Sequence, residues 1–313
     1  MSGLKILFMG TPDFAEASLR ALCSAGERVA GVITGEDKPK GRGMKLGFSE
    51  VKSYALSENI PVYQPHTLKD GAISGLLEEI NPDVIVVVAY GKILPGYVLE
   101  YPKYGCINVH GSLLPEYRGA APIQRAVLDG KSETGVTTMY MASGIDTGDM
   151  IYSERIKIGE NETVGELWDR MSELGGKLLL KTLDGIENGT APRIKQDEKK
   201  ATYAPKIEKE ECKIDFTQSA KSVHNKIRGM SPYPAAYGFL DGLAVKLYDS
   251  EEVCGGKFAQ TPGSIASLTP DSVVIVCGEG AVRIKTLKPE GSKAMSVRDM
   301  INGRKITAES IFS

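Results

Sequence analysis

The chain has 313 residues, 42% of them hydrophobic and 25% charged, with a formal net charge of −2. That length suits two domains with sizeable cores, and the composition excludes a disordered chain. A charge so near zero excludes a global basic field, so any nucleic-acid contact must come from local patches.

The segment "LKILFMG" (4–10) reads as a buried strand. "TPDFAEASLRALCSAG" follows as a helix, with Thr11 as N-cap, Pro12 in the first turn and Gly26 at the end. "RVAGVIT" (28–34) is a second strand. "PDVIVVVAYG" (82–91) is a continuous apolar run, the pattern of a central parallel strand buried on both faces. "GCINVHG", "TGVTTMYM" and "DMIYSERIKI" are further strands. Strands alternating with helices point to an α/β fold with an open sheet.

Thr163 to Gly189 reads as one long helix, and Thr163 with Glu166 fits a capping box. Val164, Leu167, Trp168, Met171, Leu174 and Leu178 keep helical spacing, which assigns Trp168 to core packing. Gly175-Gly176 argues against a straight helix. The polar stretch 190–206 carries two prolines and reads as a linker between a domain at 1–189 and another at 207–313. Beyond it, one helix, "SAKSVHNKIRGM", precedes short strands punctuated by Gly and Pro, the pattern of a small barrel or sandwich.

Five cysteines, an odd number, show no metal-type spacing and read as reduced thiols of a cytosolic protein, with no metal site. "KILFMG" is too short for a secretory leader, and no apolar run approaches the ~18 residues of a membrane helix.

"FMGTPDFA" sits where a dinucleotide fold carries its phosphate loop, yet G-x-G-x-x-G is absent, which argues against a nicotinamide cofactor. "GIDTGDM" (144–150) carries the D-T-G of aspartic proteases, but those need two such carboxylates and this chain has one. In "INVHGSLLPEYRGAAP" (107–122), strand alternation puts Asn108 and His110 on the face opposite Ile107 and Val109. An amide N–H and an imidazole side by side at a strand end suit a developing oxyanion, and a carboxylate such as Asp146 would fix the ring tautomer. No Ser or Cys elbow is present, so the set suits direct attack of an amine on a carbonyl carbon. "EDKPKGRGMKLGFSEVK" (36–52) holds five Lys/Arg against Glu50 between Lys38 and Lys52, with glycines at 41, 43 and 47. It reads either as a solvated loop or as a flexible basic arm for phosphates.

"GCINVHGSLLPEYRGAAPIQRA", "GIDTGDM" and "VVVAYGKILP" resemble the methionyl-tRNA formyltransferase family, and the likeness runs from "FMGTPDFA" to "KAMSVRDMINGR". The resemblance implies a Rossmann-like formyltransferase domain and a smaller C-terminal β-barrel of oligonucleotide-binding type that touches tRNA. It implies a cytoplasmic monomer that moves a formyl group from 10-formyltetrahydrofolate to initiator methionyl-tRNA, without metal or membrane. Asn108, His110 and Asp146 match the family's catalytic trio. Ser112, Leu113, Leu114 and Pro115 match its folate loop, and Tyr90 and Gly91 match a strand end lining the pterin pocket. Arg42 matches the arginine of the loop that enters the acceptor stem, with Lys38, Lys40 and Lys45 beside it; Met44 stands where the family often has Lys. "IRGMSPYPAAY" resembles the family's "IR…P-W/Y-P" segment. From 207 to 313 there are 14 Lys/Arg and 13 Asp/Glu, a weak balance for an RNA platform, to which Arg193, Lys195, Lys199, Lys200 and Lys206 of the linker add. Glycinamide ribonucleotide formyltransferase, the hydrolase domain of formyltetrahydrofolate dehydrogenase and sugar-nucleotide formyltransferases use the same trio. The basic loop and "RGAAPIQRA" favour tRNA. A non-enzymatic RNA- or folate-binding module leaves three convergent polar groups unexplained.

Overall fold

A computed structural model describes residues 3–40, 45–253 and 258–313. The chain folds as two compact units. One takes Met1–Gly119, Thr134–Ile156 and Trp168–Ala204; the other takes Ala120–Glu133, Lys157–Leu167 and Pro205–Ser313.

The first unit opens with β1 (Lys5–Gly10), α1 (Asp13–Ser24) and β2 (Arg28–Ile33). A short hairpin follows, β3 (Lys38–Lys40) and β4 (Lys45–Gly47), and then α2 (Glu50–Ser57), β5 (Val62–Tyr63) and α3 (Ser74–Ile80). Next come β6 (Val84–Val88), α4 (Gly96–Leu99) and β7 (Cys106–His110). After α5 (Pro122–Leu128), which belongs to the second unit, β8 (Glu133–Tyr140), β9 (Met150–Lys157) and α6 (Val164–Glu187) complete this half of the chain.

The sheet order is β5-β2-β1-β6-β7-β8-β9. The first five strands are parallel, and β8 runs antiparallel to β7. The α/β expectation therefore holds. The apolar run in β6 is buried at all five positions, each worth about 1.5–3 kcal/mol of burial. It pairs with β1 on one side and β7 on the other, which is why it reads without alternation. Strand order reverses between β1 and β6, so the carboxyl ends of β1, β6 and β7 border a switch-point crevice. A methyl group on Gly10, at the end of β1, would come 2.6 Å from Ala15 Cβ and 2.8 Å from Val88 O, so only glycine lets the strands and α1 close up there.

Two local expectations are corrected. The first helix starts at Asp13 with Pro12 at the N-cap and no side-chain cap; Thr11 Oγ1 instead accepts from Gly35 N–H at 3.2 Å. Trp168 is half-buried, its ring edge-on to Phe14 at 5.2 Å and its Nε1–H donating to Asp13 Oδ1 at 3.0 Å. Helical spacing places it on the apolar stripe, but the indole N–H draws it to the stripe's margin. Gly175 and Gly176 lie inside one helix, where close neighbours occupy the room side chains would need. Methyls there would meet Val109 Cγ1 at 3.1 Å and Ala21 Cβ at 2.9 Å.

The capping box at the start of α6 is present. Thr163 Oγ1 accepts from Glu166 N–H at 3.3 Å, and Glu166 Oε2 accepts from Thr163 N–H and Oγ1–H, both at 2.8 Å. These bonds, the backbone one first, hold the Glu166 carboxyl below its ordinary range. Thr163→Ala is expected to cost about 1 kcal/mol in urea denaturation at neutral pH. A depressed carboxyl pKa stabilises at neutral pH and is lost as acid protonates the group, so the deficit should shrink as pH falls through Glu166's lowered pKa.

The second unit contains α7 (Ala220–Gly229), β10 (Tyr237–Leu240), β11 (Leu243–Val253), β12 (Ile265–Thr269), β13 (Ser272–Val276), β14 (Ala281–Pro289), β15 (Met295–Ser296) and α8 (Val297–Asn302). The pairing order is β10-β11-β14-β13-β12, antiparallel throughout, with β15 beside β14. The last residues join the two edges. Phe239 N–H donates to Ser313 O at 2.7 Å on the β10 side, and Phe312 N–H donates to Gly263 O at 2.9 Å just before β12. The C-terminal tail thus closes the sheet into a barrel and pairs the edges that would otherwise stay open. Val223, Ile227, Leu247, Val273, Val282, Leu287 and Phe312 fill its interior.

Candidate active site

β7 delivers two polar side chains to the crevice. Ile107 and Val109 are buried, and Asn108, between them, points to the other face, as does His110 at the strand's end. Register fixes their depth. Asn108 lies opposite Val87 of β6 and Met139 of β8, and His110 opposite Thr137. Asp146 arrives from the turn between β8 and β9, held at φ +51°. Its Oδ2 accepts from Gly119 N–H at 2.8 Å, its Oδ1 lies 3.4 Å from Asn108 Nδ2, and His110 Nδ1 is 3.6 Å from Oδ2. The three residues singled out from sequence are therefore brought together.

His110 is 6% exposed, and its Nε2 lies 2.9 Å from Tyr117 O. A carbonyl only accepts, so Nε2 carries a proton and donates it there. The ring's other nitrogen faces the carboxylate. Asn108 is half-buried and spends one of its two amide hydrogens on Asp146, which leaves the other for a ligand oxygen.

The loop after β7 is held from two sides. Thr137 Oγ1 donates to Ser112 O at 2.8 Å and accepts from Leu114 N–H at 3.2 Å. Ser112 is fully buried, with its hydroxyl donating to Glu116 O at 2.6 Å. Leu114 is buried, the Leu114–Pro115 bond is cis, and Leu113 and Pro115 are half-buried. From the other side, Thr202 Oγ1 accepts from Tyr117 N–H at 2.8 Å. Ser112 thus serves the loop's own backbone, while Leu113 and Pro115 keep exposed surface.

Sequence reasoning missed Arg118, Gln196 and Glu198. Arg118 is 1% exposed, the largest fully buried side chain among the described residues. Its guanidinium donates to Glu198 at 2.8 and 2.9 Å and to Gln196 Oε1 at 2.9 and 3.0 Å. These bonds hold the Glu198 carboxyl below its ordinary range. Nothing in the polar run 190–206 marks these roles; the only signal was the Tyr117-Arg118 pair directly after the proline loop.

Tyr90 and Gly91 follow β6 at the same sheet end, with Ala89 at φ +44° and Gly91 at φ +78° turning the chain out of the strand. Tyr90 is buried among Leu68, Leu94 and Val98, and burial pushes its hydroxyl up to about 12, so it stays a neutral donor. The basic segment 36–52 holds the β3–β4 hairpin, with Lys40 opposite Lys45, and Lys38 exposed. It leaves the carboxyl end of β2 as expected, while Arg42 lies outside the described residues. Lys52 belongs to the scaffold instead: its Nζ pairs with Asp37 at 2.6 Å and Gln64 at 2.7 Å. Among the described residues no group of three or more His, Cys, Asp or Glu is placed to hold a metal ion, and no helix is long and apolar enough to cross a membrane.

Comparison with known proteins adds to this geometry. Residues 4–183 match the formyl transferase family and residues 206–305 match the formyl transferase C-terminal domain. The methionyl-tRNA formyltransferase of Alkaliphilus oremlandii is 46% identical over 303 residues, covering 97% of both chains. That of Geobacter metallireducens is 46% identical over 305 residues, covering 97% of this chain and 96% of its own. The chain belongs to the formyl transferase family.

Solved structures share the fold at lower identity. The N-formyltransferase from Helicobacter canadensis, in complex with folinic acid and dTDP-3-aminofucose, superposes with TM-score 0.66 at 20% identity, covering 93% of this chain and all of that one. HypX from Aquifex aeolicus, in complex with tetrahydrofolic acid, superposes with TM-score 0.65 at 19% identity over 96% of this chain. This chain spans about half of HypX, 47% of its length.

A one-carbon folate donor, which the family uses, fits what the crevice offers. Tyr90 Oη is buried with no hydrogen-bond partner among the described residues, an unfilled donor at the strand end. Leu113 and the cis Pro115 supply partly exposed apolar surface, and Asn108 keeps one amide hydrogen without a partner among the described residues.

Proposed function

We propose that this chain transfers the formyl group of 10-formyltetrahydrofolate to the free α-amino group of initiator methionyl-tRNA, as a monomeric cytoplasmic enzyme, giving N-formylmethionyl-tRNA for translation initiation. The observation that carries the proposal is the convergence of Asn108, His110 and Asp146 at the carboxyl ends of the strands, in a chain 46% identical across 97% of its length to a methionyl-tRNA formyltransferase.

The folate donor supplies the formyl carbon. Asn108 Nδ2–H is aimed at the formyl oxygen, where negative charge grows as the amine attacks. His110 stabilises that charge electrostatically from behind Asp146, its Nε2–H fixed on Tyr117 O. Asp146 takes the proton of the attacking amine, its carboxylate aligned by Gly119 N–H, and passes it toward the leaving nitrogen. Ser112 shapes the loop while Leu113, Leu114 and Pro115 with Tyr90 and Gly91 border the folate. Lys38, Lys40 and Lys45 of the β3–β4 pair, with Arg42 of the same basic segment, meet the acceptor-stem phosphates, and the barrel of the second unit adds further RNA surface.

The test is formyl transfer from 10-formyltetrahydrofolate to charged initiator tRNA, run beside the same assay with a nucleotide-linked amino sugar. Transfer to the sugar and none to tRNA overturns the reading. Arg42→Ala is expected to raise KM for tRNA and flatten its salt dependence, with KM for the folate unchanged. A variant impaired only toward folate would show that the basic segment does not serve RNA.

A further inference from the structure

The stretch 190–204, polar and proline-bearing, reaches the loop that carries Asp146 through Gln196. Gln196 Nε2 donates to Asp146 O at 2.8 Å and to Gly148 O at 2.8 Å. Its Oε1 accepts two bonds from Arg118, at 3.0 and 2.9 Å. Arg118 in turn lies in the loop whose Gly119 N–H holds Asp146 Oδ2. The amide thus bridges the two loops that must meet for Asn108, His110 and Asp146 to act together.

We infer that Gln196 is a positioning residue for Asp146, and that Arg118, oriented by Glu198, holds Gln196 in place. This rests on the catalytic reading of Asp146 given above. Three features support it. Asp146 sits at φ +51°, a conformation a non-glycine residue keeps only when its surroundings over-determine it. Its main-chain carbonyl and that of Gly148 are the acceptors Gln196 engages, so the amide clamps both ends of the turn. A methyl on Gly148 would lie 1.7 Å from Tyr140 O, so the turn is also pressed against the end of β8 and has one narrow placement. The amide of Gln196 has an orientation fixed by its partners: only Nε2 can donate to carbonyls, and only Oε1 can receive the guanidinium.

The consequence is kinetic. Losing the clamp lets the carboxylate drift from the attacking amine, and a misplacement of about 1 Å can cost roughly 10²-fold in rate. Gln196→Met keeps the length and removes every hydrogen bond. Because Gln196 is half-buried and sits outside the core, the variant should fold. Its kcat is expected to fall roughly 10–100-fold with both KM values within about twofold of wild type. Arg118→Lys, which keeps the charge near Glu198 but loses the fork on Gln196, should fall in the same sense by less.

The deciding measurement is a double-mutant cycle with Asp146→Asn, read in formyl transfer to methionyl-tRNA. If Gln196 works through Asp146, Gln196→Met slows the wild-type background and leaves the Asp146→Asn background within about twofold. A merely structural role gives the same fold-loss in both, and that result overturns the inference while leaving the catalytic reading standing. A wild-type rate in Asp146→Asn alone overturns both.

Discussion

Asn108→Ala and His110→Ala are each expected to lower kcat by about 10²–10³. The two losses should have different kinetic shapes, because the two side chains are held differently. Asn108 makes one long bond, 3.4 Å, to Asp146, and β7 is secured by its ladders to β6 and β8. Removing the amide takes away an oxyanion donor and little else, so kcat and kcat/KM should fall together with the melting temperature nearly unchanged. His110 is buried and its Nε2–H satisfies Tyr117 O in the loop that precedes Gly119. Its loss removes the bond to Tyr117 O, worth about 0.5–1.5 kcal/mol, and loosens the loop carrying Leu113 and Pro115. His110→Ala should therefore also raise KM for 10-formyltetrahydrofolate and lower the melting temperature. Near-wild-type turnover in either variant, measured with both substrates saturating, would remove that residue from the mechanism.

The half of this site that was legible in the sequence is the half carried by strands. Asn108 and His110 stand out because alternation against Ile107 and Val109 makes two adjacent polar positions on one face informative. The apolar run of β6 and the box Thr163–Glu166 are equally local signals, and both are present as read. What stayed hidden is held together across long sequence separations. Gln196 meets Asp146 fifty residues away through a main-chain carbonyl, and a carbonyl leaves no trace in residue identity. Arg118 looked like part of a loop because Arg is usually exposed; four hydrogen bonds are what make its burial tolerable. The basic run 36–52 resolved into a hairpin plus a helix start, where Ser49 Oγ caps α2 by accepting from Lys52 N–H at 3.1 Å. Its three glycines read as a source of mobility, yet Gly47 is the last residue of β4. Barrel closure by the last three residues was hidden for much the same reason as Gln196, since it runs mainly through backbone bonds, with Asp241 Oδ1 accepting from Ile311 N–H at 2.9 Å.

That closure sets the largest expected effect on stability. Gly263 adopts φ +90°, and a methyl there would sit 2.0 Å from Phe312 O. Gly242, in the same unit, adopts φ +84° with nothing within 4 Å of the same position. The pair separates two costs that usually come together. Gly242→Ala bears only the backbone strain of a positive φ, about 1–2 kcal/mol. Gly263→Ala bears a similar strain and must also push back the main chain of Phe312. That residue is 1% exposed, packs against Phe216 at 5.9 Å between ring centroids, and donates its N–H to Gly263 O. Overpacking against backbone adds about 1–3 kcal/mol, so Gly263→Ala should lose about 2–5 kcal/mol in all. In a thermal melt the barrel's transition should fall by roughly 10 °C or more in Gly263→Ala and by clearly less in Gly242→Ala. Equal shifts in the two variants would mean that backbone strain accounts for both and that the tail's pairing with Gly263 adds nothing to the barrel's stability.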